Sequence, residues 1–444
     1  MATVSPRLLG RMACVTPRLE MGQTLPRKSK TQPHLSRRDV MRGLAGAAAS
    51  AFPLTAFAQE RGTIPSAEWS QGFDSASRTI TMPRSRFATL SVTTAQSVEQ
   101  AIQNYNGIVS RGGWRSLPIG KERLRLGMRD RGVGPLRQRL IASGDLDPVA
   151  GVSDIFDSYV EAGVKRFQAR HGISSDGVVR EGTVNALNIP AEIRLRQLET
   201  NLVRVRSMAG FLGERYVVVN IPAAQLEAIE NGTVASRHMA IVGKPDRPSP
   251  VLQAKIQEVN FHPTWTVPAS IVKKDLIPKM QAEPDYLTRN KIHIFDQRGR
   301  ELQPDIVNWQ GDEATNYMFR QDPGDQNSMG TIRINMPNPH AVYMHDTPSK
   351  NLFGEDMRFH SSGCVRVQNV RELVAWILRD THNWSRAQVE AVIKSGERID
   401  AKLTKLLPVY WVYVTAWANP DGIVQFRDDV YGNDGVPPMA SSRG

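Results

Sequence analysis

The sequence predicts an α+β protein: a mostly-β domain carrying a helical lid insertion, preceded by a small three-helix unit and an N-terminal helical segment. Three patterns carry that prediction. Apolar residues recur at helical spacing in several stretches between 94 and 208. Beyond 215 the pattern changes to short β-branched runs divided by turn residues. Within that second region, residues 270–320 are polar and helix-prone, an interruption of the length that serves as a lid or a wall over a cleft.

The chain opens on a leader. Ser36-Arg37-Arg38-Asp39-Val40-Met41-Arg42 precedes a weakly apolar run over 43–54, and Ala56-Phe57-Ala58 supplies a small-x-small cleavage site. Residues 1–58 are therefore expected to be a twin-arginine-type export signal cleaved after Ala58, with Met21 as an alternative start and an uncleaved anchor as the competing interpretation. The run is too short and too rich in Ala and Gly to make a good membrane span. This leader holds nine Lys and Arg against Glu20 and Asp39, so the formal charge of +12 falls to about +5 in the mature chain. A modest positive balance suits an anionic polymer. No basic stripe interleaved with aromatics remains, so nucleic acid is not an expected partner. The mature chain is expected to be a periplasmic monomer without a membrane span.

From Gln59 to about Arg86 the chain is Ser-, Arg- and Gly-rich, and order is not expected there. Residues 94–110 set Val98, Ala101, Ile102, Tyr105, Ile108 and Val109 on one helical stripe, ended by Arg111-Gly112-Gly113-Trp114. Together, 59–125 make the N-terminal segment. The unit at 126–190 contains Leu136–Leu140 as a short helix, Phe167-Gln168 on a second, Gly172 as its stop, an Asp176-Gly177 turn and a last helix capped by Thr183. Val164, Phe167, Val178 and Leu187 make its core, so the motif residues are mostly scaffold. A connector helix fills 191–210, with Leu195, Leu198, Leu202 and Val205 on one face. The β domain runs from 211 to 432, with strands at 216–221, 234–243 and 254–261 and a closing strand at 409–417. Helices are expected at 370–380, capped by Asn369, and at 385–393, and a flexible tail at 433–444.

Removing the leader takes Cys14 with it, so Cys364 is the one cysteine left and cannot pair within the chain. It lies in Phe359-His360-Ser361-Ser362-Gly363-Cys364-Val365-Arg366, nineteen residues after His345. A thiol attacks as the thiolate and needs a base or a cation beside it. His345 is the preferred base, because Val342-Tyr343-Met344 reads as a strand end and His345-Asp346-Thr347-Pro348 as a turn that leaves the imidazole exposed. The loop through Phe353-Gly354 can return the chain beside that strand. His360 would reach Cys364 only on a continuous helix, which Ser361-Ser362-Gly363 opposes, and His340 after Pro339 is expected to be solvated. Ser362 and Gly363 permit a tight turn whose backbone N–H groups can form an oxyanion hole. Arg366 sets a cation near the thiol or a substrate carboxylate, or serves an ordinary salt bridge. Asp346 is expected to point away, leaving a backbone carbonyl to orient the ring. An inert, buried thiol is the competing interpretation, and the polar, glycine-containing surroundings oppose it.

Tyr343-Met344-His345-Asp346-Thr347-Pro348, Leu352-Phe353 and Ser361-Ser362-Gly363-Cys364-Val365-Arg366 resemble the active-site signature of the L,D-transpeptidases, the YkuD-type catalytic domain, in the large branch with a capping insertion. Val219-Asn220-Ile221-Pro222, 263–268, 319–324 and Asn327-Ser328-Met329-Gly330 are further points of likeness. The unit at 126–190 resembles the peptidoglycan-binding domain of wall hydrolases. Ser362 stands where smaller members of the family often have a second histidine, so His345 would act alone. The resemblance implies that Cys364 attacks the third residue of a tetrapeptide stem, D-alanine leaves with a proton from His345, and a diaminopimelate amine takes the acyl group to form a 3→3 cross-link. Donor and acceptor would both be peptidoglycan stem peptides, with Ser362, Gly363, Arg366 and Tyr343 in support. No cofactor or metal is implied, and carbapenem-type β-lactams are expected to trap the thiol. Transfer to water or to a lipoprotein lysine is the alternative within the class. A non-catalytic wall-binding scaffold is the alternative outside it.

Overall fold

The computed structural model describes residues 85–118, 123–210 and 212–435. The export signal expected at 1–58, the stretch from Gln59 to 84 and the tail beyond 435 lie outside the described residues. Arg86, at the end of the stretch in which order is not expected, is held in place: its carbonyl accepts from Val234 N at 3.0 Å.

Helix α1 (Thr94–Ser110) buries Val98, Ala101 and Tyr105 on the stripe the spacing predicts. Gly113, at φ 65°, ends it by donating to Ile108 O at 3.0 Å. Three helices then build the small unit: α2 (Val133–Ala142), α3 (Ser158–Arg170) and α4 (Glu181–Leu187). They close on Leu136, Leu140, Val160, Val164, Phe167 and Leu187, all fully buried. Asp157 caps α3 by accepting from Tyr159 N and Val160 N at 3.1 Å each, a cap worth about 1 kcal/mol. The Gln168 side chain accepts from Gly177 N and donates to Val178 O, both at 2.9 Å, and so fixes the turn after α3. Its role is scaffold, as expected.

Helix α5 (Ala191–Ala209) buries Leu198 and Val205. It is held by more than an apolar face. Gln197 donates to Arg427 O at 2.9 Å, and Asn201 exchanges hydrogen bonds with Thr415, at 2.7 Å to its hydroxyl and 2.9 Å from its N–H.

The region beyond α5 is built on a nine-stranded sheet. Its strands are β1 (Arg215–Asn220), β2 (Gln225–Glu230), β3 (Thr233–Gly243), β4 (Leu252–Phe261), and, past the four strands of the insertion, the rest of the sheet. The insertion begins at β5 (Trp265–Val267), with helices α6 (Ala269–Ile271), α7 (Ile277–Ala282) and α8 (Tyr286–Arg289) and a π-helical turn at Val272–Leu276. It continues through β6 (Ile292–Phe295), β7 (Glu301–Leu302) and β8 (Met318–Gln321), which form a four-stranded sheet with β5 in the order β5-β8-β6-β7. The expected helical lid is thus helical only in its first half. Val272, Leu276, Leu287, Ile294 and Phe319 give it a core of its own.

The main sheet resumes with β9 (Ile332–Asn335), β10 (Met344–His345), β11 (Phe359–Ser361), β12 (Val365–Val367) and, after helices α9 (Val370–Leu378) and α10 (Arg386–Ser395), β13 (Ile399–Val412). The order is β11-β3-β12-β10-β9-β4-β13-β1-β2, and β2 also pairs with β3, which closes the sheet on itself. The closing strand therefore starts ten residues before 409 and stops at Val412. Ala416–Ala418 (β14) leaves it to form a separate ribbon with Val424–Phe426 (β15). Asp434, expected in a flexible tail, is anchored by Arg204 and by Thr415 Oγ1 at 2.6 Å.

Period-two alternation sorts the strands. Val217, Val219, Ile332, Ile334, Met344, Val365 and Val367 face a shared aliphatic core with α9 and α10. Each such side chain contributes about 1.5–3 kcal/mol by leaving water. The opposite face carries Tyr216, Val218, Tyr410 and Val412 beneath α1 and α5, and the residues of interest around β9, β10 and β12. No helix among the described residues is long and apolar enough to cross a membrane.

Candidate active site

Strands β10 and β12 run parallel, with Met344 opposite Val365 and His345 opposite Arg366. The Tyr343 carbonyl accepts from Val365 N at 3.1 Å. Since Met344 and Val365 point into the core, Tyr343, His345, Cys364 and Arg366 share the other face. The loop through Phe353 does return the chain beside the His345 strand. On the far side of β10, antiparallel β9 sets Arg333 opposite His345.

His345 is only 6 % exposed, which corrects the expectation of an exposed turn residue. It belongs to β10, flanked on both sides by paired strands, and burial follows from that position. Its Nδ1 lies 2.5 Å from the carbonyl oxygen of Asp346. A carbonyl only accepts, so Nδ1 carries the proton and Nε2 keeps a free lone pair. The Asp346 carboxylate points elsewhere, accepting from Thr331 N and Thr331 Oγ1 at 3.0 Å and from Lys350 Nζ. Burial, then the Arg366 guanidinium, push the His345 pKa down to about 3. The ring is neutral at physiological pH.

Cys364 is partly exposed and unpaired. Burial pushes its thiol up, against the opposing pull of the Tyr343 N–H and hydroxyl and of Arg333 and Arg366. Burial, then the nearby Cys364, raise the Tyr343 phenol's own pKa. Tyr343 also meets the His345 ring edge-on at 5.5 Å, with the Arg333 guanidinium 4.6 Å from its ring centre. In the resting site both thiol and imidazole are uncharged.

The turn before the nucleophile is closed by one hydroxyl. Ser361 Oγ accepts from Gly363 N at 3.2 Å and donates to Cys364 O at 2.5 Å. Gly363 has φ 111°, a conformation that requires glycine, and its carbonyl accepts from Ser249 Oγ at 2.8 Å. Its N–H, expected in an oxyanion hole, is thus already engaged by Ser361. The Ser362 side chain is exposed and accepts from Arg247 at 2.9 Å, and the same Arg247 nitrogen donates to Asp275 of the insertion at 2.6 Å.

His360 lies on β11 and is bonded to Glu355 at 2.7 Å and to Met357 O at 2.8 Å, away from this group. His340 is exposed in a turn. Sequence reasoning did not single out Arg333, Arg247 or Ser249. A lone arginine between Ile332 and Ile334 looks like any charge on a solvent-facing strand position, and only strand register brings it to His345.

Residues 214–393 match the family model described as the L,D-transpeptidase catalytic domain, and residues 129–187 match the one described as "Putative peptidoglycan binding domain". A curated relative from Haemophilus influenzae, "Putative L,D-transpeptidase", is 34 % identical over 240 residues, which cover 54 % of this chain and 48 % of that protein. The chain thus spans about half the length of the curated relative it matches. Among solved structures, the L,D-transpeptidase from Mycobacterium smegmatis aligns at 13 % identity over 45 % of this chain and 58 % of its own, with a TM-score of 0.21. The L,D-transpeptidase from Stackebrandtia nassauensis aligns at 12 % identity over 65 % and 94 %, with a TM-score of 0.24. Scores this low carry no functional weight.

Proposed function

We propose that this chain, which carries an L,D-transpeptidase catalytic domain behind a domain of the peptidoglycan-binding family, uses Cys364 to cleave and transfer peptidoglycan tetrapeptide stems. One observation carries the reading: within the matched domain, His345 on β10 and Cys364 at the entry to the adjacent strand β12 face the same side of the sheet, two residues apart in register. The unprotonated Nε2 of His345 suits the role of base.

In this mechanism the sulfur attacks the carbonyl of the third stem residue as its proton passes to Nε2. Collapse of the tetrahedral intermediate breaks the bond to D-alanine, whose amine leaves with that proton. The resulting thioester is attacked by the side-chain amine of a second stem, forming a 3→3 amide and returning the proton to the thiol. Charge on the intermediate's oxygen falls to the Cys364 backbone N–H and to Arg366, since the Gly363 N–H is held by Ser361 and that of Val365 by the Tyr343 carbonyl. Because the resting pair is neutral, the ion pair forms only as substrate displaces water and shifts both groups. The export signal expected at 1–58 takes this reaction to the periplasm, and a partly exposed nucleophilic cysteine of this kind is a target for carbapenem-type β-lactams.

Incubating the purified chain with a disaccharide tetrapeptide and digesting it for mass spectrometry tests the reading. The expected results are D-alanine release, a thioester on the Cys364 peptide, and cross-linked dimers. Cys364→Ala should give none of them. Tripeptide without dimers would assign the chain to hydrolysis instead, and acylation at another residue, or no D-alanine release, would overturn the reading.

A further inference from the structure

The register of three adjacent strands sets Arg333, His345 and Arg366 in one row, with His345 opposite a guanidinium on each side. Such a row is costly. Two cations crowd an imidazole in a partly buried site, and like charges and desolvation both oppose it. Neither arginine has a carboxylate partner among the described residues. The acids on the same face, Glu258 and Asp400, are bonded instead by Asn260 Nδ2 at 2.9 and 2.7 Å. The Nε atoms of both arginines are buried with no hydrogen-bond partner among the described residues. The one polar contact of Arg333 is a 3.3 Å bond to Asn335. Beyond Arg366 the row continues to Ile241, which clusters with Met239 and Phe353. Two orphaned guanidinium edges on the sheet face that carries the nucleophile describe a receptor for a small anionic group.

We propose that Arg333 and Arg366 form a carboxylate subsite that reads the donor peptide within one residue of the bond Cys364 cleaves. This rests on the donor reading given above. Two carboxylates meet the distance: the C-terminal one of the fourth residue, and the side-chain one of diaminopimelate at the third. Either would neutralise the row as the donor docks. Bound there, the anion also offsets the two charges that keep His345 from accepting a proton. Donor selection and activation of the base would then be one event.

The test is calorimetric binding to the full chain carrying Cys364→Ala. The ligands are L-Ala-γ-D-Glu-meso-diaminopimelate-D-Ala, its C-terminal amide, and the analogue with lysine at position three. Loss of about 10- to 100-fold in affinity with the amide or with the lysine peptide is expected, and it identifies which carboxylate is read. Adding Arg333→Gln or Arg366→Gln should weaken the parent peptide and collapse the discrimination. Equal binding of all three ligands overturns the subsite without any arginine variant, and discrimination that survives both substitutions overturns it as well. Acylation of the unsubstituted chain is measured separately, so a failed subsite and a failed transpeptidase reading give different results.

Discussion

The Asp346 carboxylate lies directly over Gly330: a Cβ added to the glycine would sit 2.5 Å from Oδ2. Gly330 also has φ 60°. The two features together hold the His345–Asp346 peptide in place, because Asp346 O is the acceptor for Nδ1 of His345. Gly330→Ala should therefore cost about 1–3 kcal/mol in urea unfolding from backbone strain alone. It should also slow acylation by more than the loss of folded protein explains, since the imidazole loses its fixed tautomer. Normal acylation per folded molecule would show that Asp346 does not position the ring.

The thiol offers a direct titration. With burial holding Cys364 above the ordinary thiol range, its alkylation by iodoacetamide should be slow at pH 7 and still rising at pH 9. The Tyr343 hydroxyl stabilises the thiolate, so Tyr343→Phe should move the profile to higher pH. Arg366→Gln should do the same by removing a cation. A rate that levels off below pH 8 in the unsubstituted chain would mean that a resting thiolate exists.

Much of the scaffold is legible in the residues, and the reasons for the misses are specific. Helices α1 and α5 announce themselves because a long amphipathic stripe repeats several times. Strand β2 goes unseen because Gln225-Leu226-Glu227-Ala228-Ile229-Glu230 is built from helix-tolerant residues, and pairing with β1 and β3 overrides that preference. The sheet within the insertion escapes because strands of two to four residues are too short to show a period. At the site, the Cys364 turn and its approach to His345 follow from local chemistry. The burial of His345 and the arrival of Arg333 do not, because both depend on pairing between strands distant in sequence.

Stability should fall in acid through the same histidine. His345 is neutral in the folded chain down to about pH 3, whereas in the unfolded chain it takes a proton below about 6.5. The unfolded state thus binds more protons between those values, and stability declines as pH drops, by up to about 1.4 kcal/mol per unit for one group. His171, buried near Arg170 and Arg194, is shifted in the same direction and adds to the slope. Urea midpoints at pH 7, 5.5 and 4.5 should flatten in His345→Gln and, independently, in His171→Gln. A His345→Gln profile parallel to that of the parent chain would mean the ring protonates freely in the folded state.

Arg247 ties the insertion to the nucleophile turn. Arg247 donates to Asp275, which lies in the π-helical turn of the insertion, and to Ser362, two residues before Cys364. Arg247 is mostly covered and Asp275 about a third exposed, so the ion pair contributes little to overall stability, about 0–1 kcal/mol. Its leverage is local, because it joins the insertion to the turn that carries Cys364. Asp275→Asn keeps the shape and removes the charge. It should leave the melting temperature nearly unchanged while amide hydrogen exchange quickens across 269–282 and 359–366 together. It should also raise the rate at which a small alkylating agent reaches Cys364, with a smaller change for a full muropeptide, whose binding re-forms the wall. Faster exchange in the insertion alone, with the cysteine turn unaffected, would show that Arg247 braces the turn without coupling it to the insertion.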